Sequence, residues 1–270
     1  MATERSIFGV DPLDEFSLIV GNWILEKGLH EENLEIEAKV GLILDRETGQ
    51  RVQLPVRNEC IVDLHNIRFE SKMTMRQHAH YNQVLNNLVG HTGAPNYTAA
   101  RVRCERVKEI DYSYQGGELG RLRVTRDAET LKIKPNRSIT KNRIADLNVY
   151  CPLREFDYRI SLSQEKPIGR DLTDADLQDD PVSIREKNRL SYSHQNFVID
   201  LTQVILPEKP QQPLHELEVE VKDAPSLVKM ANPARIHPSS NNPNAAALQE
   251  WTAFDDQVLI FLNNIRLLIR

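Results

Sequence analysis

The sequence contains no apolar run near the ~20 residues that a bilayer-spanning helix needs. No apolar segment of signal-peptide type follows Met1-Ala2-Thr3-Glu4-Arg5. These absences argue against a membrane role and for a soluble globule. Cysteine is scarce: Cys60, Cys104 and Cys151 are widely spaced, cannot all pair, and form no CxxC zinc motif. A reducing compartment, cytosol or nucleus, is expected. Excess positive charge is also lacking. The net charge of −5 excludes a uniformly basic nucleic-acid binder, so any polyanion must meet locally clustered Lys and Arg. There is no GxxxxGK[ST] phosphate loop, no CxxxxxR nucleophile loop and no Ser-His-Asp candidate. A covalent cysteine mechanism is therefore not expected. Internal repeats and low-complexity segments are absent as well.

What the chain does have is alternation. Leu34-Glu35-Ile36-Glu37-Ala38-Lys39-Val40 and His215-Glu216-Leu217-Glu218-Val219-Glu220-Val221 both alternate charged and apolar residues with the period of a strand. Helical spacing appears at 14–27 (Phe16, Ile19, Val20, Trp23, Ile24), at 74–89 (Tyr81, Val84, Leu85, Leu88) and at 244–270 (Leu248, Trp251, Val258, Phe261, Leu262, Ile265, Ile269). Asn244 is placed to cap the last of these. His78 and His80, two apart, do not share a helix face and are expected to pack or face solvent. Strands are predicted at 97–108, 111–117, 120–126, 130–135, 142–149, 155–165, 184–193, 195–205 and 214–222. Residues 51–56 are predicted to pair back on the first strand, and Gly116-Gly117 and Asp127-Ala128-Glu129-Thr130 are read as hairpin turns. Residues 169–181 and 207–213 read as connections, and 223–244 as a proline-bearing linker around a short helical turn at 226–230.

The polar faces of these strands are segregated by sign. Arg185, Lys187 and Arg189 line one strand with cations only, while Glu216, Glu218 and Glu220 line another with anions only. Other faces carry Arg101, Arg103 and Glu105; Arg121, Arg123 and Thr125; Arg159, Ser161, Ser163 and Glu165; and Asp200 and Thr202. A row of one sign repels itself unless an opposite row faces it. The arrangement that satisfies this is a closed antiparallel barrel with polar faces inward, and about eight strands give a lumen that fits side chains and one small ligand. Such a barrel is apolar outside and needs a cover of helices. The predicted fold is thus an α+β single domain over 1–270: a helix at 14–27, barrel strands over about 34–222 and a helix at 244–270.

A lumen of both signs suits a polyanion bound with a metal. Glutamates offer hard oxygens appropriate to Mg²⁺ or Mn²⁺. Arg and Lys complement phosphate oxygens. The chemistry this implies is phosphoryl transfer or phosphate hydrolysis, driven by positioning and electrostatic stabilisation.

The ordered set Glu35-Ile-Glu37-Ala-Lys39, Arg185-Glu-Lys187-Asn-Arg189-Leu-Ser191-Tyr, Ile199-Asp200-Leu-Thr202 and His215-Glu216-Leu-Glu218-Val-Glu220 resembles the fungal and protozoan mRNA-capping RNA 5′-triphosphatases, which are triphosphate tunnel metalloenzymes. The similarity runs from about Asn33 to Val221. It implies hydrolysis of the γ-phosphate of 5′-triphosphate RNA to a 5′-diphosphate, in the nucleus, by a homodimer. It places the metal on Glu35, Glu37 and Glu220, and Lys39 on the tunnel floor. Glu165 becomes the residue that orients or deprotonates the attacking water. Lys187 and Arg189, with Arg185 beside them, become the holders of the γ-phosphate. Asp200 and Thr202 support those cations, and Glu216 and Glu218 orient the bases and the water network. Arg103 or Arg106, and Arg121 or Arg123, match two further phosphate-binding cations. The family pattern Arg-x-Asp-x-Thr departs here at Val198, leaving Arg159 or Arg123 to replace the missing cation. No Trp-rich peptide of the budding-yeast kind, which recruits mRNA guanylyltransferase, precedes Glu15. A phosphorylated polymerase II or elongation-factor tail is the alternative recruiter. The rival readings are a tunnel enzyme acting on tripolyphosphate or nucleotides, and a non-catalytic polyphosphate- or phosphopeptide-binding barrel.

Overall fold

The computed structural model describes residues 14–115, 120–170, 172–177, 179–231 and 252–270. Helix α1 (Glu15–Gly28) starts where the Asp14 carboxylate accepts the Ser17 N–H. Helix α2 (Met75–Thr92) starts at a capping box of Thr74 and Gln77. The short α3 (Ala224–Lys229) is capped by Asp223, and α4 (Ala253–Leu268) by a box of Thr252 and Asp255. Residues 244–251 of the predicted last helix, including Asn244, Leu248 and Trp251, lie outside the described residues, as do Gly116-Gly117.

The strands are β1 (Leu34–Asp45), β2 (Cys60–Val62), β3 (Ile67–Glu70), β4 (Arg103–Tyr114), β5 (Arg121–Asp127), β6 (Ile139–Tyr150), β7 (Asp157–Pro167), β8 (Ser183–His194), β9 (Phe197–Ile205) and β10 (Leu214–Val221). Every neighbouring pair is antiparallel, in the order β10-β9-β8-β4-β5-β6-β7-β1. Pairing of β1 with β10 closes these eight strands into a barrel. Strands β2 and β3 are additions, on β6 and β1. Gly41 lets β3 lie close, because a Cβ there would stand 2.3 Å from the Glu70 carbonyl oxygen.

The barrel is apolar outside. Ile36, Ala38, Tyr158, Ile160, Leu162, Leu201, Leu217 and Val219 point outward and are fully buried. They share one core with Val20, Ile24 and Leu25 of α1 and with Phe254, Val258, Phe261, Leu262 and Ile265 of α4. Removing such a set from water is the dominant favourable contribution to this fold. The α1 stripe is mostly core: Val20 and Ile24 are buried, Phe16 and Trp23 pack against the same cluster, and Ile19 is exposed.

Three predicted elements differ. Residues 103–114 form one continuous strand rather than two, with Glu109, in the predicted break, and Asp111 both buried and facing inward. The predicted strand 130–135 keeps only a bridge from Ile133 to Arg126 of β5, within the loop between β5 and β6. Asp127 accepts the Thr130 N–H there, and Leu131 turns the chain at φ 58. Residues 51–56 keep only a bridge from Arg51 to Leu44.

Candidate active site

The polar faces of the barrel strands meet in the lumen. A chamber of about 430 Å³ brings Glu35, Glu37 and Lys39 of β1 together with Arg121 and Arg123 of β5, Glu165 of β7, Arg185, Lys187 and Arg189 of β8, and Glu218 and Glu220 of β10. Register makes these neighbours: Glu37 lies opposite Glu220, and Lys39 opposite Glu218. A second chamber of about 580 Å³ continues along the barrel past Arg189 and Glu220 to Arg103, Ser193 and Val198. Both volumes fall within the range of small-molecule sites, but the walls are charged rather than apolar.

Each cation row leans on acids. Lys187 Nζ sits 2.5 Å from Asp111 Oδ2, and Arg189 Nη1 2.9 Å from Asp200 Oδ2. Arg185 donates to both oxygens of Glu216 at 2.8 Å. Burial raises the Asp111 carboxyl, but Lys187 and Arg123 outweigh it and bring it down to about 2. For Asp200 burial outweighs Arg189, and its pKa rises. Arg123 Nε and Arg189 Nε are buried donors with no partner among the described residues, a donor set that suits the oxygens of an anion.

The carboxylates divide into two groups. Glu218 accepts from Lys39 Nζ at 2.6 Å, and although burial opposes it, Lys39 and Arg189 hold its pKa far below the usual range. Glu165 lies 3.1 Å from Arg123 Nη2 and 3.0 Å from Lys141 Nζ. Burial raises it, yet these two cations outweigh burial and keep it anionic. By contrast, burial and then Glu37 push Glu35 up to about 7, even with Lys141 bonded to it. Burial and then Glu35 push Glu220 up to about 8, and among the described residues Glu220 has no ion-pair partner. Glu35 and Glu220 are thus buried hard-oxygen donors held above the usual carboxyl range, and with Glu37, which lies opposite Glu220, they make a set that fits a divalent cation. Glu37 is approached by Lys39 at 3.6 Å and by Arg143 at 3.4 Å. Among the described residues no three ligating side chains are gathered tightly in advance.

Other predicted residues fall elsewhere. Thr202 is buried on the inward face of β9, with no partner for its hydroxyl. Arg103 reaches the second chamber. Arg106 is three residues further along β4, so it points outward and binds Asn188 at 2.9 Å; it is not a tunnel cation. Arg159 is not one either, nor a replacement for the cation missing at Val198. It donates to Asn148 at 2.8 Å and lies 4.9 Å over the Phe69 ring. Arg123 faces the lumen but is engaged by Glu165. His78 packs on His215 outside the barrel, with ring centroids 4.6 Å apart. The lumen also holds Asp111, Arg137, Lys141 and Arg143, which strand parity did not single out. A β-bulge between Arg143 and Ala145 explains the last two, because it shifts the inward face from Lys141 and Arg143 to Asp146 and Asn148.

A closed barrel with facing rows of cations and carboxylates around one chamber defines a triphosphate tunnel. The sequence matches, over residues 10–267, the family described as mRNA capping enzyme, beta chain. The chain belongs to that family. Among curated relatives, an mRNA-capping enzyme subunit beta of Cryptococcus neoformans is 32% identical over 83% of this chain and 57% of its own length. That of Schizosaccharomyces pombe is 31% identical over 88% of this chain and 75% of its own length. The chain thus spans little more than half of the first relative. The solved S. pombe Pct1 RNA triphosphatase superposes with a TM-score of 0.80 at 28% identity, covering 99% of this chain and 97% of that one. The same protein has been solved in complex with the Spt5 CTD.

Proposed function

We propose that this chain is a divalent-metal-dependent RNA 5′-triphosphatase that removes the γ-phosphate of nascent mRNA and leaves a 5′-diphosphate for capping. The observation that carries this reading is the division of the lumen: a cation wall of Arg123, Arg185, Lys187 and Arg189 facing the undercompensated carboxylates Glu35 and Glu220. Family membership points the same way.

Lys187 and Arg189 hold the γ-phosphate oxygens, Lys187 as a point charge and Arg189 through its fork. Their acids fix them: Asp111 behind Lys187, Asp200 behind Arg189 and Glu216 behind Arg185. Charge developing on the transferred group therefore meets cations already in place, so little reorganisation is needed. Glu165 is held anionic by Arg123 and Lys141, which makes it a weak base and a good acceptor. Its role is to orient the attacking water rather than to strip it early. Lys39 keeps Glu218 fixed on the tunnel floor. Glu35, Glu37 and Glu220 would hold Mg²⁺ or Mn²⁺, which when bound supplies Lewis-acid polarisation of a phosphoryl oxygen.

Recruitment by an elongation-factor or polymerase II tail is proposed from the likeness to the S. pombe protein. Nuclear location follows from capping of nascent transcripts. Homodimerisation and contact with guanylyltransferase remain expectations from the family. The test is γ-phosphate release from 5′-triphosphate RNA, from free nucleotide and from tripolyphosphate, each with and without Mg²⁺ or Mn²⁺. The proposal predicts metal-dependent release with RNA as a good substrate. Metal-dependent release confined to nucleotide or tripolyphosphate would reassign the substrate, and no release from any of them would leave a binding barrel.

A further inference from the structure

The inward face of β9 reads Val198, Asp200, Thr202, and Val198 is the apolar break in a wall of charge and hydroxyl. Its register partners are Ser193 on β8 and Glu220 on β10. Three of the nearby strand cations are engaged, Arg189 by Asp200, Lys39 by Glu218 and Arg123 by Glu165, and Arg103 lines the second chamber from β4. One lumen cation is not built on a strand. Arg137, from the loop between β5 and β6, lines both chambers, and Val198 lines the second. Its backbone is set: Arg137 N–H donates to the Lys134 carbonyl at 3.3 Å, and the Ser138 carbonyl accepts from Ile168 N–H at 2.9 Å. Its side chain is loose, 54% exposed, with one described contact, 3.5 Å to Glu109 Oε2. Glu109 is buried and is also approached by Lys134 at 3.6 Å, so it stays compensated if Arg137 leaves.

We propose that Arg137 is a further substrate-binding residue, a loop-borne arginine that swings from Glu109 to close on a substrate phosphate in front of Val198, where β9 itself supplies no cation. A guanidinium suits this task because it stays charged and binds phosphate through two parallel donors. The inference rests on the triphosphate reading above and adds the means by which the second chamber is completed.

The test compares wild type, Arg137→Ala, Arg137→Lys and the double variant Arg137→Ala/Val198→Arg. Binding of inorganic tripolyphosphate is measured by titration calorimetry with and without Mg²⁺, beside kcat and KM for γ-phosphate release. Arg137→Ala should weaken tripolyphosphate binding about tenfold or more, raise KM more than it lowers kcat, and leave the melting temperature unchanged. Lysine should restore binding only in part, and arginine at 198 should restore it in the double variant. Unchanged binding in Arg137→Ala would overturn the proposal, as would a double variant no better than the single one. A wild-type protein that binds tripolyphosphate but releases no phosphate from any substrate would overturn the triphosphatase reading instead, and the binding arm would still decide Arg137.

Discussion

Glu218 and Glu220 are the same residue type, two apart on one face of one strand, and their surroundings push them in opposite directions. Glu218 meets Lys39 and Arg189 and stays ionised well below the usual range. Glu220 is pushed up to about 8 by burial and then by Glu35 and further carboxylates around it, with only Val198 opposite it on β9. The tunnel thus has a self-compensated region, around Lys39, Glu218 and Arg189, and an undercompensated one, around Glu35 and Glu220. The first holds the walls in place. In the second, the cations present do not offset burial and carboxylate repulsion, and a divalent cation would.

The largest expected effect comes from removing the undercompensated group. Glu220→Ala or Glu37→Ala should cut γ-phosphate release by about 10²–10³-fold, by analogy with single electrostatic groups in other active sites. Circular dichroism should show the fold intact. Near-normal release would remove the metal from these residues. Breaking the compensated region should act on stability instead. Lys39→Ala strands Glu218 without its main partner and should cost about 3–5 kcal/mol in chemical denaturation.

The contrast also has a pH signature. Glu35 and Glu220 hold protons to about 7 and about 8 in the fold, above the carboxyl's ordinary value. The folded state therefore binds more protons than the unfolded chain in this window, and stability of metal-free protein falls as pH rises. Between pH ~6.5 and ~8.5 the loss should be about 2–3 kcal/mol. Burial lowers His78 to about 4 and also lowers His215, so the histidine contribution of opposite sign is mostly complete below this window. Glu220→Gln should flatten the slope, and added Mg²⁺ should restore stability more at high pH than at low. A slope unchanged in Glu220→Gln would mean that Glu220 is not the strained group. The smallest effect is expected at Arg106, which faces out: Arg106→Ala should leave phosphate release within about twofold and stability within about 0.5 kcal/mol.

Much of this was legible before the structure. Rows such as Arg185-x-Lys187-x-Arg189 and Glu216-x-Glu218-x-Glu220 imply enclosure because like charges in a row demand an opposite row. The closed barrel with helices outside follows from that demand. Parity arguments failed where the period failed. The bulge after Arg143 hid Lys141 and Arg143. The break predicted after residue 108 was wrong because sequence does not distinguish a charged residue such as Glu109 facing solvent from one buried facing the lumen. Arg137 was invisible for another reason: it sits on a loop, and only the third dimension brings it beside Val198. Arg159 shows the converse, since its parity is inward but Asn148 and Phe69 hold it at the far end of β7.

The central claim is that Glu218 and Glu220, two residues apart, are oppositely strained and that a metal relieves the second. It can be read directly by ¹³C-carboxyl NMR titration of glutamate-labelled protein, with assignments from Glu218→Gln and Glu220→Gln. The account predicts that in metal-free protein Glu220 titrates near 8 while Glu218 stays ionised throughout, and that Mg²⁺ moves the Glu220 transition below the neutral range. Two glutamates titrating together near the ordinary carboxyl value, indifferent to metal, would contradict it.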